Sequence, residues 1–271
     1  MIAGIHGGFT HVTRRKSYLK KRLFYSLFIK RALRGAAAVQ LTSRTERGNS
    51  QDWLGGRPQI TIPNCVNPDW FYSCPDARRT FRRRHGIPET ARVLISVTRF
   101  DWMKRVDLLM AAIAKSPNWH LILVGDDQSG LGPRLKMDAK ALGIESRVVW
   151  TGYLKGRLLC EALSSADWFA LVSESENFGN VVVEAMMCGL PVLVSQEVGA
   201  YEYICDQPFV VATDLSEAAV TEALSIMERR LLDPQINPAQ IRQYAIARFA
   251  PPSVAKRFAD SMQQLLSEMR E

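Results

Sequence analysis

From residue 92 onward the chain alternates short, β-rich apolar runs with stretches of helical period. The strand candidates are RVLISVT (92–98), WHLILVG (119–125), RVVWT (147–151), DWFALV (167–172), PVLVS (191–195) and FVVA (209–212). Between them the pattern predicts helices near 104–116, 132–143, 157–165, 180–188 and 199–205, with three more near 216–232, 238–248 and 252–270. Strands that alternate with helices in this way imply a parallel sheet. The expected fold class is therefore α/β, a doubly wound, Rossmann-like parallel sheet, with ligands at the carboxyl ends of its strands.

Ahead of this region the pattern thins. Residues 1–62 offer only IAGIH, a basic helix, AAVQLTS, a short helix and QITIP, which is too little sheet to close a core of its own. They read as the tail of another α/β domain, joined to the first through the turn-rich PNCVNPDWFYSCPD (63–76). The expected division is a remnant of a second Rossmann-like domain at 1–62, a linker leading into the next domain at 63–90, a ligand-binding domain at 91–250 and a C-terminal helix at 251–271. There is no internal repeat or low-complexity segment.

With 271 residues, 47% of them apolar, the chain is long enough for one large or two ordinary domains with proper cores, and a soluble globular protein is expected. No run approaches the ~18 apolar residues of a membrane span, and the start lacks the layout of a signal peptide. The five cysteines, Cys65, Cys74, Cys160, Cys188 and Cys205, show no metal-binding spacing. Cys160, Cys188 and Cys205 fall in segments that read as buried, so reduced thiols in a cytoplasmic protein are expected. Charge changes the picture at one end only. Residues 1–50 hold eleven Lys and Arg against the single acid Glu46, a net +10, while the remaining 221 residues sum to −2. The excess comes from RRKSYLKKRLFYSLFIKRALR (14–34), where bases alternate with aromatic and aliphatic residues. Such a helix suits an anionic membrane surface or an acidic partner; equally, its apolar face can pack on a domain and leave the bases solvated. No basic stripe or binding module points to nucleic acid.

Chemistry concentrates in SESENFGNVVVEAMMCGLPVLVS (173–195). Glu176 falls in a loop after a strand, and Glu184 inside a helix whose start is marked by Gly179 and Asn180. A glycosidase-style acid/base pair needs a fixed carboxyl separation, which spacing alone does not define; solvated loop acids are the plain alternative. The second element is TRFDWMK (98–104), in which Arg99 leaves a strand and Lys104 enters the next helix. Two cations at the carboxyl edge of a parallel sheet suit the pyrophosphate of a nucleotide, with helix N-terminal amides adding positive potential. One cleft edge would then carry both signs, carboxylates for sugar hydroxyls and cations for phosphates.

The run FRRRHGIP…VLISVTRFDWMKRVDLLMAAI…LILVGDD…LGIESRVVWTGYL…ADWFALVSESENFGNVVVEAMMCGLPVLVSQEVGAYEYI resembles the donor half of a GT-B retaining glycosyltransferase of family 4, also called glycosyl transferase group 1. The resemblance covers essentially residues 1–210 and is most specific at the E-x7-E pattern, Glu176 to Glu184, with Phe178-Gly179 between and EAMMCGLPVL following. It implies that 91–250 is the nucleotide-sugar (donor) domain and 1–62 what remains of an N-terminally truncated acceptor-side domain. Arg99 and Lys104 match the basic pair on the donor diphosphate, and Glu176 the acid beside the donor sugar. Glu184 matches the acid on the nucleotide ribose, while the amides of Phe178, Gly179 and Asn180 would face the sugar and phosphates. IPNCVNPDWF is similar to the family's interdomain IPNGVD…F and brings Asn64 into the substrate-binding set, although Cys65 and Asn67 replace the usual Gly and Asp. His6 in GIHGG matches a cleft-facing His near the transferred sugar, and joins Glu176 as a catalytic candidate.

The reaction implied is transfer of a sugar from a nucleoside diphosphate to an acceptor hydroxyl with retention, by a hexosyltransferase-type enzyme of cell-surface glycan or polysaccharide synthesis. The alternative is a non-catalytic or split-enzyme nucleotide-sugar binding subunit, completed by a partner chain or self-association at residues 1–60. A glycan or lipid-linked acceptor is expected, but no cofactor and no metal. Gly125-Asp126-Asp127 looks like a metal-binding carboxylate motif but ends a strand where the family has a Gly-rich turn. The implied location is the cytoplasm, peripheral at the inner face of the membrane through 14–34.

Overall fold

A computed structural model describes residues 2–4, 31, 33, 35–51, 54 and 56–268. His6 and nearly all of the basic segment 14–34 lie outside the described residues.

Two parallel sheets organise the described chain. The smaller has three strands in the order β1 (Ile2–Gly4), β2 (Ala38–Leu41), β3 (Gln59–Thr61). Helix α1 (Arg44–Ser50) follows β2 and begins with a reciprocal cap. Ser43 accepts from the Glu46 amide at 3.0 Å, and the Glu46 carboxylate reaches back to the Thr42 amide at 2.7 Å. The larger sheet has six strands, β4 (Arg92–Val97), β5 (Trp119–Val124), β6 (Val148–Gly152), β7 (Trp168–Leu171), β8 (Val192–Ser195) and β9 (Val210–Thr213). Their spatial order is β6-β5-β4-β7-β8-β9, every pair parallel.

Strict alternation along the central strands makes two cores. Val93, Ile95, Ile122, Val124, Phe169, Leu171, Val192 and Val194 point to one face; Leu94, Leu121, Leu123, Trp168, Ala170 and Leu193 point to the other. The first face is covered by α5 (Arg157–Ser164), α6 (Asn180–Met187) and α8 (Pro238–Phe249). The second is covered by α3 (Val106–Ala114), α4 (Gly132–Ala141) and α7 (Glu217–Arg230). The doubly wound α/β reading is thus the observed one. Each fully buried large side chain contributes roughly 1.5–3 kcal/mol, so this two-sided burial dominates stability.

Some local expectations are corrected. The helix expected at 199–205 is a single 3₁₀ turn, Gly199–Tyr203, and the helix expected from 104 begins at Val106 after a separate 3₁₀ turn, Trp102–Lys104. Cys205, read as buried, is exposed, as is Cys65, while Cys160 and Cys188 are buried and all five thiols are free. An unanticipated helix, α2 (Pro75–Arg84), lies within 63–90. Its inward face is largely polar: Arg82, 2% exposed, and Arg78 both bind Asp167, at 2.9 and 2.6 Å. The last helix, α9 (Pro251–Glu268), leaves the large sheet and packs Val254, Phe258 and Met262 on Ile60 and Ile62 of the small one.

Candidate active site

The strand order defines the site. The chain runs outward from β4 through β5 to β6, then returns to the other side of β4 to lay down β7. Connections after β4 and β7 therefore diverge and leave a crevice between their carboxyl ends, the topological switch point of an open α/β sheet.

After β4, Thr98 and Phe100 keep their amides on Val124 and Asp126 carbonyls, at 2.8 and 3.0 Å, and the chain then tightens into the turn Trp102–Lys104. Asp101 caps that turn by accepting from the Met103 amide at 3.0 Å. After β7 comes the acidic loop. Its Glu174 amide donates to the Met103 carbonyl at 2.8 Å, and the Ser173 hydroxyl lies 3.2 Å from the same oxygen, so loop and turn are stitched together across the crevice. From the other side, the Ser195 hydroxyl accepts from the Ser173 amide and donates to the Ser173 carbonyl, both at 2.9 Å.

Within this frame Lys104, only 7% exposed, places its ammonium directly on the Glu176 carboxylate and 3.4 Å from the Ser173 hydroxyl. An ammonium so buried is tolerable only with a carboxylate partner. The next residue repeats the pattern, with Arg105 Nη1 on Glu174 Oε1 at 3.1 Å. The guanidinium also bonds Asp107, and that hydrogen bond is the main reason its pKa stands above the ordinary arginine value. Arg99 is exposed on the same edge, and its side chain makes no hydrogen bond or ion pair among the described residues.

Glu176 is also held through its backbone, pairing with Val198 and accepting from the Gly199 amide at 3.2 Å. The Phe178 carbonyl accepts from the Ala200 amide at 2.7 Å, while its ring, 1% exposed, meets Tyr203 and Phe249 edge-on at 5.9 and 6.1 Å. Gly179 turns the chain into α6 with φ 85°, where an added Cβ would stand 2.9 Å from Val198 Cγ1 and 3.3 Å from Glu176 Cγ. The amides of Phe178, Gly179 and Asn180 enter no hydrogen bond among the described residues, and so they are open donors at a helix start. Asn64 is brought to the same place, donating to Asn180 Oδ1 at 2.9 Å.

Glu184 stands apart from the Lys104–Glu176 pair. It lies further along α6, and its carboxylate has no ion-pair or hydrogen-bond partner among the described residues. Burial, and secondarily the charge of Cys160, push its carboxyl up to about 7. Of the residues singled out in the sequence, the structure thus joins Lys104 to Glu176 and Asn64 to Asn180, leaves Arg99 exposed and Glu184 half-buried without a side-chain partner among the described residues, and does not describe His6. Sequence reading missed Ser173, Ser195 and Arg105. The serines carry no local signal, and Arg105 sits where a helix was expected to be already under way.

Comparison with known proteins bears on this geometry. The model of the family described as glycosyl transferases group 1 matches residues 77–248. The chain belongs to that family. Among the chain's curated relatives, the N-acetyl-alpha-D-glucosaminyl L-malate synthase of Bacillus anthracis is 36% identical over 129 residues, 45% of this chain and 32% of the relative. The D-inositol 3-phosphate glycosyltransferase of Segniliparus rotundus is 29% identical over 180 residues, 64% of this chain and 40% of the relative. The chain therefore spans well under half the length of these relatives. The crystal structure of Anabaena Alr3699/HepE in complex with UDP and glucose superposes with a TM-score of 0.79 at 23% identity, covering 97% of this chain and 71% of that one. This likeness shows the GT-B fold. Among the described residues, no helix is long and apolar enough to cross a membrane.

Proposed function

We propose that this group 1 glycosyltransferase chain binds a nucleoside-diphosphate sugar at the β4–β7 crevice and serves transfer of the sugar to an acceptor hydroxyl with retention, as a family 4, hexosyltransferase-type enzyme of cell-surface glycan or polysaccharide synthesis. The observation that carries this reading is the Lys104–Glu176 contact across the switch point, with Arg99 exposed beside it. In the free protein Glu176 occupies the Lys104 ammonium. A diphosphate entering the crevice offers that ammonium and the Arg99 guanidinium new anionic partners, and releases Glu176 to accept hydrogen bonds from the donor sugar. The amides at 178–180, which have no acceptor among the described residues, take up phosphate or sugar oxygens in this reading. Glu184 accepts from the ribose hydroxyls.

Chemistry on this scaffold rests on orientation and on stabilising the negative charge that builds on the departing diphosphate. Removing one such preorganised donor costs on the order of 10²–10³ in rate at other oxyanion sites. The Anabaena complex contains UDP and glucose, which makes UDP and UDP-glucose the first probes. Calorimetry with UDP, GDP, ADP and their glucose conjugates tests the reading. One nucleotide should bind, and Arg99→Ala and Lys104→Ala should each weaken it tenfold or more, with Glu184→Ala weakening nucleoside diphosphates but not inorganic pyrophosphate. A chain that binds none of the panel, or variants indistinguishable from the parent, overturns it.

A further inference from the structure

Arg105 is the sole non-glycine with positive φ among the described residues, at φ 40° and ψ 40°. The left-handed region strains any residue with a Cβ, and such strain persists where the surrounding structure uses it. Glycine would take this backbone without strain, so the reason for arginine lies in its side chain. Its guanidinium forks between Asp107, through Nε and Nη2 at 3.1 and 3.0 Å, and Glu174, through Nη1 at 3.1 Å. Glu174 is two residues from Glu176 on one loop, and Arg105 adjoins Lys104 on the facing turn. Two acids thus meet two cations, each acid with its own partner.

We infer that Arg105 is a positioning residue for donor binding: by holding Glu174 it keeps that carboxylate off the Lys104 ammonium and reserves the ammonium for Glu176 and, once the donor arrives, for its diphosphate. This inference rests on the donor-binding reading above. Without the guanidinium, Glu174 becomes an unpaired acid at the mouth of an anion site. It then competes for Lys104 and repels phosphate, and the loop loses one of its ties to the turn.

The test is a double-mutant cycle read two ways. Arg105→Gly relieves the backbone strain and removes the three side-chain hydrogen bonds, and an arginine without a part in donor binding would leave a chain that binds UDP, GDP or ADP unchanged. The latch instead predicts about tenfold weaker binding of whichever nucleotide the parent prefers, and amide exchange at Glu174 at least tenfold faster. Glu174→Gln alone, which leaves Arg105 on Asp107, should stay within threefold of the parent. Adding it to Arg105→Gly should restore affinity to within threefold. Parent-like affinity in Arg105→Gly, or a double variant as weak as the single, overturns the inference. If Arg105→Gly fails to fold, Arg105→Asn, which also accepts a left-handed backbone, takes its place. Should the parent bind no nucleotide, the donor reading falls, and unchanged exchange at Glu174 would still sink the latch independently.

Discussion

Glu184 carries a titration that belongs to one side chain and is measurable as such. Its carboxyl is pushed up to about 7 by burial, whereas in the unfolded chain it titrates near ~4.3. Between those values the native state holds a proton that the unfolded state has released. This group's contribution to stability is therefore greatest below ~4.3, falls as pH rises through about 7, and is flat above. Glu184→Gln keeps the shape and removes the charge. It should raise stability at pH 8 by about 1–3 kcal/mol and by much less at pH 5, as read from urea denaturation at both values. Ribose hydroxyls donating to the carboxylate would favour its ionised form. Nucleotide binding at pH 7 should then release a fraction of a proton, seen as a binding enthalpy that varies with the ionisation enthalpy of the buffer; an enthalpy independent of buffer would remove Glu184 from the ribose.

At the scale of elements, the acidic loop is fixed by what it leans on. An added Cβ at Gly199 would lie 2.0 Å from the Asn177 carbonyl oxygen and 2.9 Å from Ser43 Oγ. Gly199→Ala must push the loop away from the 3₁₀ turn, an overpacking change expected to cost about 1–3 kcal/mol in chemical denaturation and to weaken nucleotide binding as well. A fully stable variant with parent-like affinity would show the loop to be more compliant than its contacts imply. The large sheet was legible in the sequence because its central strands are apolar on both faces, and every expected strand overlaps an observed one. Helix α2 was not, because Arg78 and Arg82 turn inward to Asp167, so its buried face reads as solvent-facing. The 3₁₀ turn at 102–104 and the left-handed Arg105 were hidden for a related reason: apolar spacing continues smoothly into α3 and carries no mark of the break. The clustering of acids and cations at one edge was legible from strand ends. Which cation takes which acid was not, since that depends on the turn that buries Lys104 and exposes Arg99.

At the scale of the molecule, Arg242 and the last helix are among the ties that join the sheets. Arg242 on α8 donates to the carbonyls of Pro68, Phe71 and Met187, tying the segment after β3 to the end of α6. Helix α9 then crosses to the small sheet and covers Ile60 and Ile62. Removing 251–268 strips that cover from two large apolar side chains. A loss of about 3–6 kcal/mol is expected, at roughly 1.5–3 kcal/mol per side chain. The damage should be local, with amide exchange accelerating at Ile62, whose amide donates to Leu41 at 2.8 Å, and little changed at the β4–β5 ladder. Uniform acceleration across both sheets would mean that the chain unfolds as one cooperative unit.

The Ser43 hydroxyl, which opens α1, also donates to the Asn177 carbonyl at 3.2 Å, and the Tyr203 hydroxyl donates back to Thr42 at 3.0 Å. The residue gripped by Ser43 is the immediate neighbour of Glu176. Any tilt of the N-terminal sheet is therefore felt one peptide away from the carboxylate that rests on Lys104. Linkage makes such an influence mutual: a molecule that immobilises the acidic loop would also restrain that sheet, and whatever grips the sheet would alter the loop's affinity for its guest by the same factor.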